Sequence, residues 1–139
     1  MTGSRIDRTA TRLLSRANAR AQAIRLEAFA EAGSTGYMSR LLASLADEGV
    51  ASQAELSRRT GIDPSDVVAV LNEMSAKGFV SRERDPADGR RNVVTLTRSG
   101  RAELRRLDAV VTGVQERFLA PLTQAERRQF VRMLVKLTD

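Results

Sequence analysis

The sequence contains no cysteine, no histidine and no tryptophan. Without cysteine there is no disulfide, no thiolate nucleophile and no thiol-based redox sensor. Without histidine there is no imidazole base and no histidine-ligated metal. Few enzymes work without both residue types, so the composition disfavours catalysis, and we expect neither a metal nor a cofactor. Aromatic residues make up only 4% of the chain, which indicates an aliphatic core and disfavours base stacking as a binding mode.

Long apolar runs are also missing. The first residues are polar and rich in arginine, without the apolar segment of a secretory signal, and no stretch approaches the length that spans a membrane. We therefore expect a cytoplasmic protein with no membrane partner. A length of 139 residues favours one domain over residues 1–139.

The net charge of +6 is unevenly distributed along the chain. Residues 31–76 carry three basic and seven acidic residues, whereas residues 77–106 carry nine basic and four acidic ones. A basic block of this kind suits attraction to phosphates. The alternative is a solvated, arginine-rich helical surface.

Helical patterns occupy both ends of the chain. Apolar residues recur every three or four positions from Ser4 to about Ala32, which predicts one long amphipathic helix. A glycine-containing break at 33–36 precedes a second predicted helix, Tyr37 to Asp47. After Thr97, a predicted cap, a seam with 3-4-3-4 spacing predicts a helix to about Ala120, and residues 123–126 have the pattern of a capping box that opens a last helix. This seam consists of Leu104, Leu107, Val111, Val114 and Phe118.

The middle of the chain has the pattern of a helix-turn-helix. Ser52 and Glu55 are spaced as a capping box, in which each side chain satisfies a free backbone donor. The short helix that follows ends at Gly61, and Asp63-Pro64 begins another. The buried stripe of this second helix is predicted to be Val67, Val70, Leu71 and Met74.

A β-hairpin is predicted directly after these two helices. Residues 79–84 and 92–96 have strand character, and the segment between them is rich in turn-forming residues. A hairpin after a helix-turn-helix is a wing. The fold class is therefore mainly α with a small β-hairpin (α+β), a winged helix-turn-helix.

DNA contacts are predicted on both parts of this motif. In the second helix, Ser65, Val68 and Asn72 face outward and are candidates for contacts with base edges, although this helix carries two acids and no basic residue before Lys77. Arg90 and Arg91 at the tip of the wing suit the minor groove, with Asp88 pairing with one of them to fix the loop. The remaining candidates for phosphate contacts are Arg58, Arg59, Lys77, Arg82 and Arg84, with Arg40 a weaker one.

The wing and the helix after it resemble those of the MarR family of bacterial regulators. The resemblance lies in the segments Asp85-Pro86-Ala87-Asp88-Gly89-Arg90 and Leu96-Thr97-Arg98-Ser99-Gly100, and it extends to Ala54-Glu55-Leu56 and to residues 72–80. These motifs cover about residues 51–101. In one respect the chain departs from the family: Ala69 stands where members often carry an arginine in the recognition helix.

The resemblance implies a homodimer with a DNA-binding lobe at residues 37–97. Helices from both termini, residues 1–32 and 98–139, would form the dimerisation region, and two-fold symmetry would match a near-palindromic operator. A small-molecule effector is implied between the two regions. The candidate effector contacts from family position are Arg20, Tyr37 and Met38, with Ala17, Ile24 and Leu41 nearby.

Three functional hypotheses follow. The first is a dimeric transcriptional regulator, more often a repressor than an activator, that a small molecule releases from double-stranded DNA. The second is a winged-helix protein-interaction module without DNA binding, which the acidic recognition helix and Ala69 support. The third is a small cytosolic enzyme, for which no grouping of carboxylates, serine and lysine is recognisable.

Overall fold

A computed structural model describes residues 3–138. After a 3-10 turn at Arg5–Arg8, six helices and two strands follow in the described residues. They are α1 (Ala10–Glu31), α2 (Gly36–Glu48), α3 (Gln53–Thr60), α4 (Pro64–Ala76), β1 (Val80–Arg84), β2 (Asn92–Leu96), α5 (Arg98–Leu119) and α6 (Gln124–Thr138). The predicted order of elements, including the helix-turn-helix and the hairpin, is confirmed.

The first helix starts later than its sequence pattern predicts. Thr9 is extended, with φ −73° and ψ 150°, so the chain makes a 3-10 turn before α1 begins at Ala10. The Thr9 hydroxyl donates to the Ile6 carbonyl at 2.8 Å, and such local side-chain bonds compete with helical geometry. The prediction of one uninterrupted helix from Ser4 was wrong for this reason.

Backbone contacts divide the chain into two units, and α1 and α5 each contribute to both. The larger unit, Phe29–Val110, contains α2, α3, α4 and the hairpin. Its core is aliphatic, as the composition predicted. The largest fully buried side chains of this unit are Met38, Leu41, Leu42, Leu56, Val67, Leu71, Met74, Val94 and Leu107.

The hairpin is attached to this core at its base. β1 and β2 are antiparallel, with Val80 opposite Leu96 and Arg84 opposite Asn92. Ala51, which is fully buried, forms a bridge with Val94: the Val94 N–H donates to the Ala51 carbonyl at 2.7 Å. The wing therefore emerges from a short three-stranded junction that fixes its root.

Most of the predicted caps are present. Gly61 takes the left-handed conformation at φ 72° and ends α3, and Asp63 caps α4 with Pro64 at its first turn. At α3 only half of the predicted capping box forms: the Ser52 hydroxyl accepts from the Glu55 N–H at 3.2 Å. The Glu55 carboxylate pairs with Arg59 and Arg91 instead, because two guanidinium partners compete with one backbone donor.

The second unit comprises the chain up to Ala28 and the chain from Val111 onward. The rings of Phe118 on α5 and Phe130 on α6 lie 6.5 Å apart at 55°. Arg20 of α1 donates to the Phe118 carbonyl at 2.8 Å and lies over the ring of the same residue. Several large apolar side chains of this unit remain exposed, namely Ile6, Leu13, Leu14, Leu26, Val131, Met133, Val135 and Leu137.

Candidate nucleic-acid interface

The tip of the wing is shaped by two aspartates. The Asp85 carboxylate accepts from the Ala87 N–H at 2.9 Å, and the Asp88 carboxylate accepts from the Arg90 N–H at 3.1 Å. The Arg91 N–H then donates to the Asp88 carbonyl at 3.0 Å. Asp88 thus fixes the loop through backbone bonds rather than through the ion pair with an arginine that the sequence suggested.

Three of the arginines that were predicted to contact phosphates are exposed and unpaired within residues 3–138. The side chains of Arg58, Arg84 and Arg90 are exposed, and none of them has a hydrogen-bond or ion-pair partner in residues 3–138. Arg58 lies on α3, Arg84 ends the first wing strand, and Arg90 lies at the tip. A cation without a protein partner is free to neutralise a phosphate, so these three contribute uncommitted positive charge to the lobe.

Arg91 has a different environment from Arg90. Its guanidinium donates to the Glu55 carboxylate on α3, and its Nε lies 3.7 Å from Asp85 Oδ2. Its side chain is half-buried. The structure therefore directs Arg91 into the protein, whereas the sequence pattern predicted it at the tip of the wing facing a groove.

Arg59 is also engaged within the lobe. It donates to the Gly49 carbonyl at 3.0 Å, lies 3.4 Å from Glu48 Oε2 and lies 3.7 Å from Glu55 Oε2. Ion pairs thus join five residues into one continuous chain, which we call the wing–helix network: Glu48, Arg59, Glu55, Arg91 and Asp85. Its three carboxylates outnumber its two guanidiniums, so it adds no net positive charge for phosphate binding.

The N-terminal end of α4 is polar but occupied. The Ser65 hydroxyl donates to Asp63 Oδ1 at 2.6 Å, and the Ser65 N–H donates to the same oxygen at 2.9 Å. These bonds, the hydroxyl first, hold the pKa of Asp63 below its usual value. Because the hydroxyl hydrogen is used in the cap, Ser65 offers an incoming base an acceptor rather than a donor. Val68, three residues on, is exposed.

Further along α4, two side chains pair with neighbours. Lys77, which caps the helix, lies 3.0 Å from Glu73. The Asn72 Oδ1 accepts from Arg82 Nη2 at 2.8 Å, which joins the recognition helix to the first wing strand. The exposed faces of α4 and β1 are therefore one continuous surface.

Two features that the described residues lack bear on other classes of function. Residues 3–138 contain no group of three or more histidine, cysteine, aspartate or glutamate side chains arranged to hold a metal ion. None of the helices in the same residues combines the length and apolar character that crossing a bilayer requires.

Comparison with known proteins places this lobe in a family. A model described as MarR family matches residues 35–91. The structure of the Mycobacterium tuberculosis MarR family protein Rv2887 in complex with salicylic acid is 34% identical, with 94% of this chain and 97% of that chain covered and a TM-score of 0.76. The chain belongs to the MarR family.

Two further matches agree with this MarR-family assignment. The curated HTH-type transcriptional repressor Rv2887 of M. tuberculosis is 41% identical over 86 residues, which cover 62% of this chain and 62% of the relative. The aligned segment thus spans less than two thirds of the curated relative. The structure of Bordetella bronchiseptica BpsR, whose DNA binding is regulated by 6-hydroxynicotinic acid, is 28% identical with a TM-score of 0.82, and 99% of each chain is covered.

The effector candidates of this MarR-family chain have unequal exposure. Met38 is buried, and Tyr37 is partly exposed with the Arg40 guanidinium 5.3 Å from its ring centroid. Arg20 is committed to the Phe118 carbonyl and also to the Arg117 carbonyl, at 3.1 Å. Arg40 itself donates to the Thr60 carbonyl at 3.3 Å, which leaves it a poor phosphate contact.

Sequence reasoning missed three residues of the wing–helix network. Glu48, Glu55 and Asp85 hold the two internal arginines, and none was predicted as a partner. Asp85 was interpreted as a turn residue, Glu55 as half of a capping box, and both as part of the family motifs. The one available signal was the excess of adjacent arginine pairs, Arg58-Arg59 and Arg90-Arg91, of which one member turns inward in each case.

Proposed function

We propose that this MarR-family protein is a DNA-binding transcriptional regulator, and specifically a repressor that acts as a homodimer. The observation that carries the proposal is the arrangement of Arg84 and Arg90, which lie on the wing without a protein partner in residues 3–138, next to a complete helix-turn-helix. Unpaired arginines on a wing suit phosphates and the minor groove. The assignment of Rv2887 as a repressor supports the same role.

The dimer is proposed from the apolar surface of the second unit. Leu26 on α1 and Leu137 on α6 are 76% and 75% exposed, and several other large apolar side chains of this unit are about half exposed. Extensive exposed apolar surface marks interaction sites in soluble proteins. A second copy of the chain covers it in this proposal, through α1, α5 and α6.

Two-fold symmetry sets the form of the operator. Two copies of α4 would enter successive major grooves about 34–36 Å apart, which is one helical turn of DNA. The proposed operator is therefore near-palindromic, with half-site centres about ten base pairs apart.

The effector is proposed to be a small aromatic acid. This class is suggested by the salicylic acid bound to Rv2887 and by the 6-hydroxynicotinic acid that regulates BpsR. Isothermal calorimetry with salicylate and with 6-hydroxynicotinate tests the proposal: saturable heat, together with release of bound DNA, is expected. Absence of heat for both compounds at millimolar concentration contradicts this ligand class.

Duplex binding as a function of salt tests the DNA-binding role. Each phosphate neutralised contributes about −0.9 to the slope of log K against log salt concentration. We expect a steep negative slope with random and specific duplexes alike. Failure to bind random duplex even at low salt contradicts the proposal and favours an interaction module without DNA binding. That second candidate is supported by Ala69 and by the pairing of Lys77 with Glu73, which leave α4 without a free cation of its own.

A further inference from the structure

The recognition helix has no cation of its own on the face that would meet DNA. Ala69 occupies the middle of that exposed face, Asp66 precedes it by less than one turn, and Lys77 is paired with Glu73. On a helix, residues three or four apart are neighbours, so Ala69 and Asn72 lie side by side. A guanidinium near Asn72 would therefore lie beside the position that Ala69 leaves without charge.

Arg82 supplies such a group from outside the helix. Its Nη2 donates to Asn72 Oδ1 at 2.8 Å, and no carboxylate of residues 3–138 pairs with it. Both side chains are exposed. Arg82 lies in β1 opposite Val94, which is buried and bridged to Ala51, so the strand that carries it is anchored in the core.

The chemistry of the pair favours one base. A guanidinium has five N–H donors, and the bond to Asn72 leaves the others available. Asn72 uses its acceptor on Arg82 and keeps its amide N–H groups, so together the two residues present donors. Guanine offers two acceptors, N7 and O6, in the major groove, whereas adenine offers one acceptor beside a donor.

We propose that Arg82 is a base-reading residue, positioned by Asn72, that gives this protein a guanine preference in each half-site. It takes the place of the helix-borne arginine that Ala69 lacks. The proposal rests on the DNA-binding function above and adds a specific residue and base to it. It also changes the expectation for Asn72, which holds Arg82 in place rather than contacting a base edge alone.

Arg84 provides a matched control. It lies two residues further along the same strand, is exposed, and has no partner in residues 3–138. Removal of either arginine deletes one charge from β1, but only Arg82 contacts the recognition helix. A loss of overall affinity that both variants share is electrostatic. A loss of base discrimination that is confined to the Arg82 variants reflects base reading.

The experiment is selection of bound sequences from random duplex DNA by the full-length wild type, followed by affinity measurements on operators changed at one base pair at a time. For the wild type we expect one guanine per half-site whose replacement weakens binding about tenfold or more, as for a bidentate arginine–guanine contact. In Arg82→Ala this discrimination should fall to near onefold, while Arg84→Ala should retain it and bind all sequences more weakly.

Two further variants separate base reading from charge and from folding. Arg82→Lys keeps the charge but lacks the planar fork, so it should keep the salt slope and lose the guanine preference. Asn72→Ala frees Arg82, so it should reduce the same preference without changing the slope. Unchanged melting temperatures show that these variants fold.

The outcomes distinguish this inference from the function on which it rests. A wild type that enriches a defined site, with a guanine preference that survives Arg82→Ala, overturns the inference alone and leaves Arg82 as a phosphate contact. A wild type that enriches no sequence contradicts the proposed function as well.

Discussion

The Arg91 guanidinium beside the tip loop of the wing donates to the Glu55 carboxylate on α3, 36 residues earlier in the chain. The same guanidinium lies 3.7 Å from Asp85, and Glu55 lies 3.7 Å from Arg59. Neighbouring Arg90 has no such partner in the part of the chain that the structure describes. The two adjacent arginines therefore have different environments: Arg91 links the wing to α3, and Arg90 is available for the proposed contact with DNA.

Replacement of Arg91 by alanine should loosen the wing without removing a phosphate contact. We expect lower operator affinity with an unchanged salt slope, and a loss of stability of about 1 kcal/mol from a half-exposed pair. Glu55→Ala should have a similar effect, and the double variant should lose less than the sum of the two single ones, because the two residues share one interaction. Fluorescence anisotropy across a salt series measures the operator affinity and its salt slope. A slope reduced by about one in Arg91→Ala would place Arg91 on a phosphate instead.

Replacement of Arg90 by alanine should have the opposite pattern. Affinity for all duplexes should fall by about 1–3 kcal/mol and the salt slope should lose about one unit, as expected for a phosphate or minor-groove contact. Stability should not change, because the Arg90 side chain has no partner in residues 3–138. Arg128→Ala, on α6, controls for the loss of one positive charge. Equal effects of the two variants would argue against a special role for the tip of the wing.

The features that sequence predicted correctly are local ones. Gly61, Asp63 and Pro64 determine the turn between α3 and α4 through contacts within a few residues, and the Thr123–Glu126 box forms as predicted. The failed predictions for Glu55 and Arg91 depend on partners far away in sequence, whereas the late start of α1 at Ala10 is itself a local effect. The Glu55 carboxylate leaves its local cap for Arg91, and only the folded lobe brings these two residues together.

The Arg82–Asn72 contact at the candidate site is a second interaction that the sequence alone did not predict. Both residues were predicted as DNA contacts from their exposed positions, but their pairing depends on how β1 lies against α4. Periodicity assigns a residue to a face of its own element. It does not determine which side chains of two elements meet, because that depends on the packing of the core between them.

A charge placed on the apolar surface of α6 should dissociate the proposed dimer. Leu137 is 75% exposed, so Leu137→Asp should not disturb the fold of one chain. In a symmetric dimer the change occurs twice, and each lost burial costs up to about 1.5–3 kcal/mol. Sedimentation velocity should show a shift to monomer and a parallel loss of operator affinity. Gln129→Asp introduces the same group at an exposed polar position of α6 and should remain dimeric. A dimer that persists in Leu137→Asp would exclude this residue from the interface.

The capping box of α6 should make stability depend on pH. The Thr123 N–H donates to Glu126 Oε1 at 2.9 Å, and this backbone bond, followed by the Thr123 hydroxyl contact, lowers the pKa of Glu126. A lowered folded-state pKa adds stability above the unfolded value, about 4.3, that is lost as pH falls through the folded value. Glu126→Gln should therefore have a lower melting temperature than wild type at pH 7, and the gap should close below about pH 4. Glu83→Gln is the control, since it shows how the melting temperature changes when one exposed carboxylate is removed. If the difference in melting temperature between wild type and Glu126→Gln were constant with pH, the charge of Glu126 would contribute nothing to stability.

Two glycines of α5 should respond in opposite ways to alanine. A Cβ at Gly100 would lie 2.1 Å from the Phe79 carbonyl oxygen and 2.6 Å from Leu96 Cδ1, whereas a Cβ at Gly113 would meet nothing within 4 Å. Gly100→Ala must push the start of α5 away from the base of the hairpin, which typically costs about 1–3 kcal/mol for an overpacked site. Gly113→Ala should gain about 0.5–1 kcal/mol from helix propensity alone. Chemical denaturation of both variants measures the difference. If Gly100→Ala also gained stability, the close approach of α5 to Phe79 would be disproved.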